Sequence, residues 1–337
     1  MIDESLITPL TDAFGRLQQS LFESVVQPLA FAMGLGNFLE DAYAGTGWLL
    51  VGFVQLLVML CLIGPLQRWR PVEPGIARRA VMVDVLYTVI HRLGLFRVAM
   101  FFSVEPLLDM LFGEARLKGL DGIQLDALMA PWWPGVSDTA WASFIVYLLA
   151  FDLIDYWIHR GQHQVNRWWA LHALHHSQRH MTMWSDNRNH LLDDVLRDVI
   201  IAFAARAIGV PPGQFVAVVA VTQLIENLSH ANARLSLGWL GERLLVGPRF
   251  HRQHHGIGIG HEGKAGEGSL GGCNFAVLFP VWDIVFGTAR FDGHFEPTGI
   301  RDQLPEHGGR DYGEGFWAQQ WLGFRRLLSR NPGGSGA

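Results

Sequence analysis

Apolar and polar positions divide the chain into long apolar runs followed by a polar, glycine-rich final third. The run Gly47–Leu66 holds about twenty residues without a charge, is rich in Leu and Val, and closes at Pro65. At 1.5 Å per residue, that length matches one bilayer crossing. Arg68, Arg70, Arg78 and Arg79 follow at once, and the positive-inside rule places this end in the cytoplasm. Upstream, Leu21–Leu39 is amphipathic and interrupted by Gly34 and Gly36, which predicts a peripheral helix or two. Ala80–Phe112 is mostly apolar but carries Asp84, His91, Arg92, Arg97, Glu105 and Asp109. It predicts a crossing and a bent interfacial helix, with a soluble helical pair as the alternative. Leu117–Asp138 predicts a loop, in which Pro131-Trp132-Trp133-Pro134 has the character of an interfacial anchor. Trp141–Ile158 predicts another span.

Val195–Leu228 contains two apolar runs of about fifteen residues, separated by Gly209-Val210-Pro211-Pro212-Gly213. Paired prolines flanked by glycines break a helix, so this block predicts a hairpin. Whether it crosses twice or only dips in, both ends emerge on one side. Nothing from Gly238 onward is apolar enough for a span; Gly256–Gly272 predicts a flexible loop and Asn331–Ala337 a disordered tail. The expected class is all-α and multi-span. It divides into an amphipathic segment (1–46), first spans with their loop (47–136), a histidine-bearing domain (137–290) and a polar tail (291–337).

Composition agrees with a bilayer. Half of the residues are hydrophobic and 17% are charged, against roughly 25% charged in average soluble proteins. A net charge of -5 lacks the basic footprint of a nucleic-acid binder. Cys61 and Cys273 are too few for a disulfide framework and are expected to be reduced. Met1–Leu10 carries acids and no basic residue, unlike a cleaved signal peptide. No Gly-x-Gly-x-x-Gly after a strand and no P-loop is present, so no nucleotide domain is expected.

Histidine changes the picture. Of 15 in the chain, 11 fall between His159 and His255. His159 and His163 are four apart; His172, His175 and His176 stand at i, i+3 and i+4; His251, His254 and His255 repeat that pattern; His230 stands alone after the hairpin. Spacings of three and four put rings on one helix face, close enough to grip one ion. A zinc site takes three or four protein ligands, so nine candidates fit two metals better than one. Imidazole itself does not choose among iron, zinc, copper and nickel. His91, His180, His261, His294 and His307 are read as hydrogen-bonding core residues. His190 is an even choice between lining the site and not.

Supporting groups are visible as well. Asp155 lies one helical turn before His159, where its carboxylate would fix the ring tautomer; pairing with Arg160, or a place at the membrane interface, is the alternative. Glu226, four residues before His230, would do the same there or ligate metal itself.

The order His-Arg-x-x-His, His-x-x-His-His, Ser229-His230-Ala231-Asn232 and a second His-x-x-His-His resembles the fatty acid hydroxylase superfamily, also called the sterol desaturase family. Asp155-Tyr156-Trp157, Asn274 and Phe279-Pro280-Val281-Trp282-Asp283-Ile284-Val285-Phe286-Gly287-Thr288 agree with it. The match runs from Trp141 to Thr288. Stearoyl-type desaturases are less similar, because here only eight residues separate His163 from His172. Some members carry a further histidine where this chain has Glu226.

The resemblance implies about four transmembrane helices, the hairpin included, under a cytoplasmic helical cap that holds a dinuclear centre. It implies two iron ions, with zinc possible in purified protein, O2 as co-substrate, and hydroxylation, desaturation or methyl oxidation of a sterol, acyl chain or other lipid. Electrons are expected from a separate NAD(P)H-linked reductase, since no flavin, haem or ferredoxin motif is present. A histidine-rich metal transporter and a membrane dizinc hydrolase are the competing expectations.

Overall fold

The computed structural model describes residues 4–120, 122–136, 139–257 and 271–329. His261, most of the expected Gly256–Gly272 loop and the Asn331–Ala337 tail lie outside the described residues. Among the described residues there is no β-strand, and an isolated antiparallel bridge joins Gly256 to Thr298.

The first helix, α1 (Glu4–Leu21), runs through a π turn into Gln27–Ala32. This arm packs on the next helix through the Phe22 and Tyr43 rings, 5.3 Å apart. That next helix, α2, spans Gly36–Trp69 and so starts well before the uncharged run. Glu40 and Asp41 occupy its first turn, where the helix dipole favours carboxylates. The uncharged window marks the stretch suited to hydrocarbon, and the helix itself continues into the polar boundary. Phe53, Val54, Leu57 and Leu60 are exposed on α2, as a lipid-facing surface requires. Its inner face meets the next helix so closely that a Cβ at Gly52 would lie 1.8 Å from the Arg92 carbonyl oxygen.

Helices α3 (Arg78–Arg92) and α4 (Leu95–Ser103) are bent by 51°, with Gly94 between them at φ +77°. Glycine adopts that left-handed cap without a Cβ penalty. Asp84 and Arg92 of α3 turn inward, as charges at membrane depth do. Buried Asp84 receives Arg188 Nη1 at 3.2 Å and Ser185 Oγ at 3.1 Å, and Arg92 donates to Asn227 Oδ1 at 2.9 Å. Helix α5 (Glu105–Leu117) follows, and a short helix, Leu125–Met129, interrupts the expected loop.

Helix α6 (Ala140–Gln164) carries the next apolar stretch and continues through the first histidine pair; α7 (Asn166–His176) follows at once. Helices α8 (Leu191–Ala207) and α9 (Pro212–Ser229) form the expected hairpin. Pro212 starts α9, where its missing N–H is no loss. Asn227 Nδ2 donates to Asp186 at 3.1 Å, so the open ends of the hairpin lie side by side. Among the described residues two helices, α2 and α6, are long and apolar enough to cross a membrane, or three if the bent α3–α4 pair is one span. The rest of the expected four falls to the hairpin, whose α8 has 17 residues and carries Asp193, Asp194, Arg197, Asp198 and Arg206. It is too short and too charged to qualify by itself. Tyr147, Leu148 and Phe151 of α6 meet Val218 of α9 in a buried apolar cluster.

The final third holds α10 (Pro248–His254) and α11 (Phe316–Leu328). Helix α11 straps α7: Arg326 Nε donates to the Ala170 carbonyl at 3.1 Å, and Arg167 Nη1 to that of Leu327 at 3.3 Å.

Candidate metal centre

Four elements deliver nine buried rings to one place. His159 and His163 come from α6, His172, His175 and His176 from α7, His230 from the C-terminal cap of α9, and His251, His254 and His255 from α10 and its cap. Donor atoms of His159, His163, His172 and His176 all lie within 4.8 Å of one another; those of His175, His230, His251 and His255 do likewise. His254 groups with His176 and His255, and its ring centroid is 4.4 Å from that of His159. The two His-x-x-His-His runs are cross-wired. Helix α7 gives its i, i+4 pair, His172 and His176, to the first tetrad and His175 to the second. Helix α10 gives its i, i+4 pair, His251 and His255, to the second and turns His254 toward the first. Neighbouring helix positions diverge by about 100°, while i and i+4 share a face, so each run can serve two sites.

Hydrogen bonds fix several tautomers. His159 Nδ1 lies 2.8 Å from the Phe275 carbonyl, His254 Nδ1 2.7 Å from that of Cys273, and His230 Nδ1 2.8 Å from that of Glu226. His172 Nδ1 lies 3.0 Å from Asp193 Oδ2. Carbonyls and carboxylates accept, so in each ring Nδ1 carries the proton and Nε2 keeps its lone pair. This is the outer-shell arrangement that orients metal-binding imidazoles. Burial, with neighbouring rings acting the same way, pushes His175, His176, His251 and His255 well below the usual imidazole value. The rings are therefore neutral and ready to ligate at pH 7.

The donor set fits metal. In the second tetrad, His175 Nε2 and His230 Nε2 are 3.2 Å apart, His230 and His251 3.0 Å, and His251 and His255 3.2 Å. Nitrogens about 2.0–2.1 Å from one ion stand roughly 3 Å from each other, by the geometry of imidazole ligation. A neutral His230 has one Nε2 lone pair, and two ring nitrogens converge on it. Nε2 of His172 is buried with no hydrogen-bond partner among the described residues, an expensive state for a polar atom unless a cation meets it.

Residues 144–288 match the family model for fatty acid hydroxylase. That stretch of the chain thus resembles a fatty acid hydroxylase domain. Its relatives include alkylglycerol monooxygenase of Danio rerio, 29% identical over 48% of this chain and 32% of that protein. The Homo sapiens alkylglycerol monooxygenase is also 29% identical, over 47% and 32%. Ornithine lipid hydroxylase OlsE of Rhizobium tropici is 28% identical over 46% and 44%. The matches thus span a third to under half the length of these relatives. No solved structure matches the chain.

All nine box histidines meet, but the expected supporting carboxylates do not support them. Asp155 accepts from Arg197 Nη2 at 2.8 Å and Nε at 3.2 Å, and the Phe275 carbonyl takes the place foreseen for it beside His159. It pairs neither with His159 nor with Arg160, because α8 brings Arg197 to that face of α6. Glu226 serves His230 through its backbone carbonyl, while its carboxylate lies 3.6 Å from Arg197. His190 caps α8, accepting from Leu192 N, and its Nε2 meets the Gln320 carbonyl, away from the tetrads. Of the histidines read as core, His180, His294 and His307 are exposed, and His91 faces Asp194 at 3.2 Å.

Sequence reasoning missed Asp193 and Asp283. Asp193 also accepts from Gln162 and Trp168, and no local spacing ties it to His172. Asp283 accepts from Phe275 N and Ala276 N at 2.9 and 2.8 Å and so shapes the strip that carries the His159 acceptor. Its place in the Phe279–Thr288 motif was the available signal. Asn274 sits between the two carbonyls at φ +58°, pinned through Nδ2 to the Phe250 and Arg290 carbonyls and through Oδ1 to Arg290 N.

Proposed function

We propose that this chain is a membrane-bound oxidoreductase that holds two iron ions and uses O2 to oxidise a C–H bond of a lipid. The observation that carries the reading is the pair of cross-wired tetrads of buried imidazoles, within a stretch that matches the fatty acid hydroxylase model. The names of the relatives, lipid hydroxylases and monooxygenases, supply the substrate class. Iron is favoured over zinc because an unactivated C–H bond lies beyond acid–base chemistry and needs a redox cofactor. When bound, that pair would supply the electron transfer to O2 that no side chain provides. His159, His163, His172, His176 and His254 would hold one ion, and His175, His230, His251 and His255 the other. Asp193 and the carbonyls of Cys273, Phe275 and Glu226 aim the rings, and the surrounding apolar helices exclude water. Hydroxylation consumes O2, two electrons and two protons, leaving one oxygen on carbon and one in water; desaturation and methyl oxidation are further outcomes of the same attack.

Electrons would come from a separate NAD(P)H-linked reductase, and the centre would face the cytoplasm, beside the arginines that follow α2. A transporter would string its histidines along a span, whereas these gather in one buried cluster. The test is iron content, O2 uptake and lipid mass spectrometry on purified full chain with NAD(P)H and a reductase. About two irons per chain and a lipid gaining one oxygen are expected. His175→Ala and His254→Ala should each abolish turnover while leaving membrane insertion intact. Zinc retention without O2 uptake would overturn the proposal.

A further inference from the structure

A cavity of about 190 Å³ opens onto the centre, with His159, His172, His175, His230 and His251 in its wall. Apolar side chains such as Phe151, Phe215 and Val218 line one part of it, yet Asp155, Arg197 and Glu226 line it as well. Pockets that engulf whole drug-sized ligands measure roughly 300–1,000 Å³. This one admits an end of a lipid, not a folded chain, and the question is which end.

The ionic groups of the wall answer it. Asp186 faces Arg92 at 3.5 Å, Asp194 faces His91 at 3.2 Å, Glu105 pairs with Arg206, and Arg97 and Asp198 complete the charged wall. Arg197 has two carboxylates to serve. Its guanidinium fork closes on Asp155 through two hydrogen bonds, and Glu226 Oε1 is left at 3.6 Å, too far for one. Glu226 is therefore a largely buried carboxylate in the wall that lacks a hydrogen bond among the described residues. A methylene chain passing it would strip its hydration and return nothing. A hydroxyl or an ammonium would complete it. Glu226 stands one turn before His230, so roughly 5–6 Å separate the two side-chain positions, the reach of a few covalent bonds.

We propose that Glu226, steadied by Arg197, receives a hydrogen-bond donor on the lipid, so that the carbon oxidised lies within a few bonds of the polar end. This rests on the oxygenase reading above and names the substrate end that the site accepts.

Three probes with the same alkyl chain test it on the detergent-purified full chain: hexadecylamine, 1-O-hexadecylglycerol and methyl hexadecanoate, which lacks a donor. Binding is followed by intrinsic fluorescence, and the product position by mass spectrometry. A charge-assisted hydrogen bond predicts that at least one donor lipid binds about tenfold or more tightly than the methyl ester. The amine and the glycerol ether separate an ammonium from a hydroxyl as the source. Glu226→Leu, which removes both acceptor oxygens, should erase that preference, and Glu226→Gln, which keeps one neutral acceptor, should erase only the preference for the amine. Equal binding of all three probes by the unmodified protein, or an oxygen placed mid-chain, overturns the inference and leaves the oxygenase reading standing. Donor preference with no oxidation of any probe overturns the oxygenase reading and leaves the recognition role of Glu226.

Discussion

His172 Nδ1 stands 3.0 Å from Asp193 Oδ2, and because that oxygen only accepts, the ring is held with its Nε2 lone pair toward the first tetrad. Asp193 also takes Gln162 Nε2 at 2.8 Å and Trp168 Nε1 at 2.7 Å, so the carboxylate is fixed from three directions. Loss of an outer-shell partner of this kind typically lowers metal affinity about 10–100-fold. Asp193→Ala is expected to do so, and Asp193→Asn to fall between it and the unmodified protein. Chelator competition monitored by bound iron measures the order.

The cross-wiring of the two runs makes a stoichiometric prediction. His251→Ala removes a donor from the second tetrad alone, and His163→Ala one from the first alone. Each variant should weaken one ion and spare the other, so that mild chelation leaves about one iron per chain in place of about two, because the altered tetrad has lost a donor while the other keeps all of its own. Elemental analysis of both, and of the double variant with almost none, checks this. Equal loss of both ions in each single variant would show one shared site.

Asn274 holds a left-handed φ of +58°, and its side chain bonds the Phe250 and Arg290 carbonyls, the Arg290 N–H and, at 3.5 Å, Gln253 Oε1. Asn274→Gly keeps the backbone and loses the bonds; Asn274→Ala loses the bonds and adds left-handed strain of roughly 1–2 kcal/mol. At about 1 kcal/mol for each hydrogen bond, both variants should be unstable, with alanine the worse by about 1 kcal/mol. Thermal unfolding in detergent ranks them. The Cys273 and Phe275 carbonyls flank this residue, so iron retention should fall in the same order.

Acid should weaken the metal-free protein. Burial lowers His175, His176, His230, His251 and His255 below their ordinary value of 6.5. Below about that pH the unfolded chain binds protons that the folded chain refuses, so stability rises with pH through this interval. It is fully present above 6.5 and declines as pH falls toward the depressed folded values. Thermal unfolding of apo-protein at pH 7.5, 6.5 and 5.5 should show little change over the first step and a clear drop over the second. A flat profile would contradict neutral burial of these rings.

The ligand candidates were legible because metal binding imposes local spacing: residues at i, i+3 and i+4 share a helix face wherever the helix lies. The hairpin was legible for a similar reason, since Pro211 and Pro212 break the chain locally. What decides the tautomers is not local. Asp193 lies far along the chain from His172, and Arg197 captured Asp155 across a helix–helix contact that periodicity does not encode. Helix α11 was hidden in a tail read as polar, because its buried positions, Gln319 and Gly323, are not apolar. Gly323 faces the His190 ring so closely that a Cβ would lie 2.3 Å from it.

Three of the rings take their orientation from main-chain oxygens, at Cys273, Phe275 and Glu226. Those acceptors survive any side-chain replacement at the three positions, so the aim of His254, His159 and His230 is written in the path of the backbone and not in residue identity. Redesign of the centre would therefore have to re-route the main chain, and exchanging the side chains at those three positions would leave the acceptors in place.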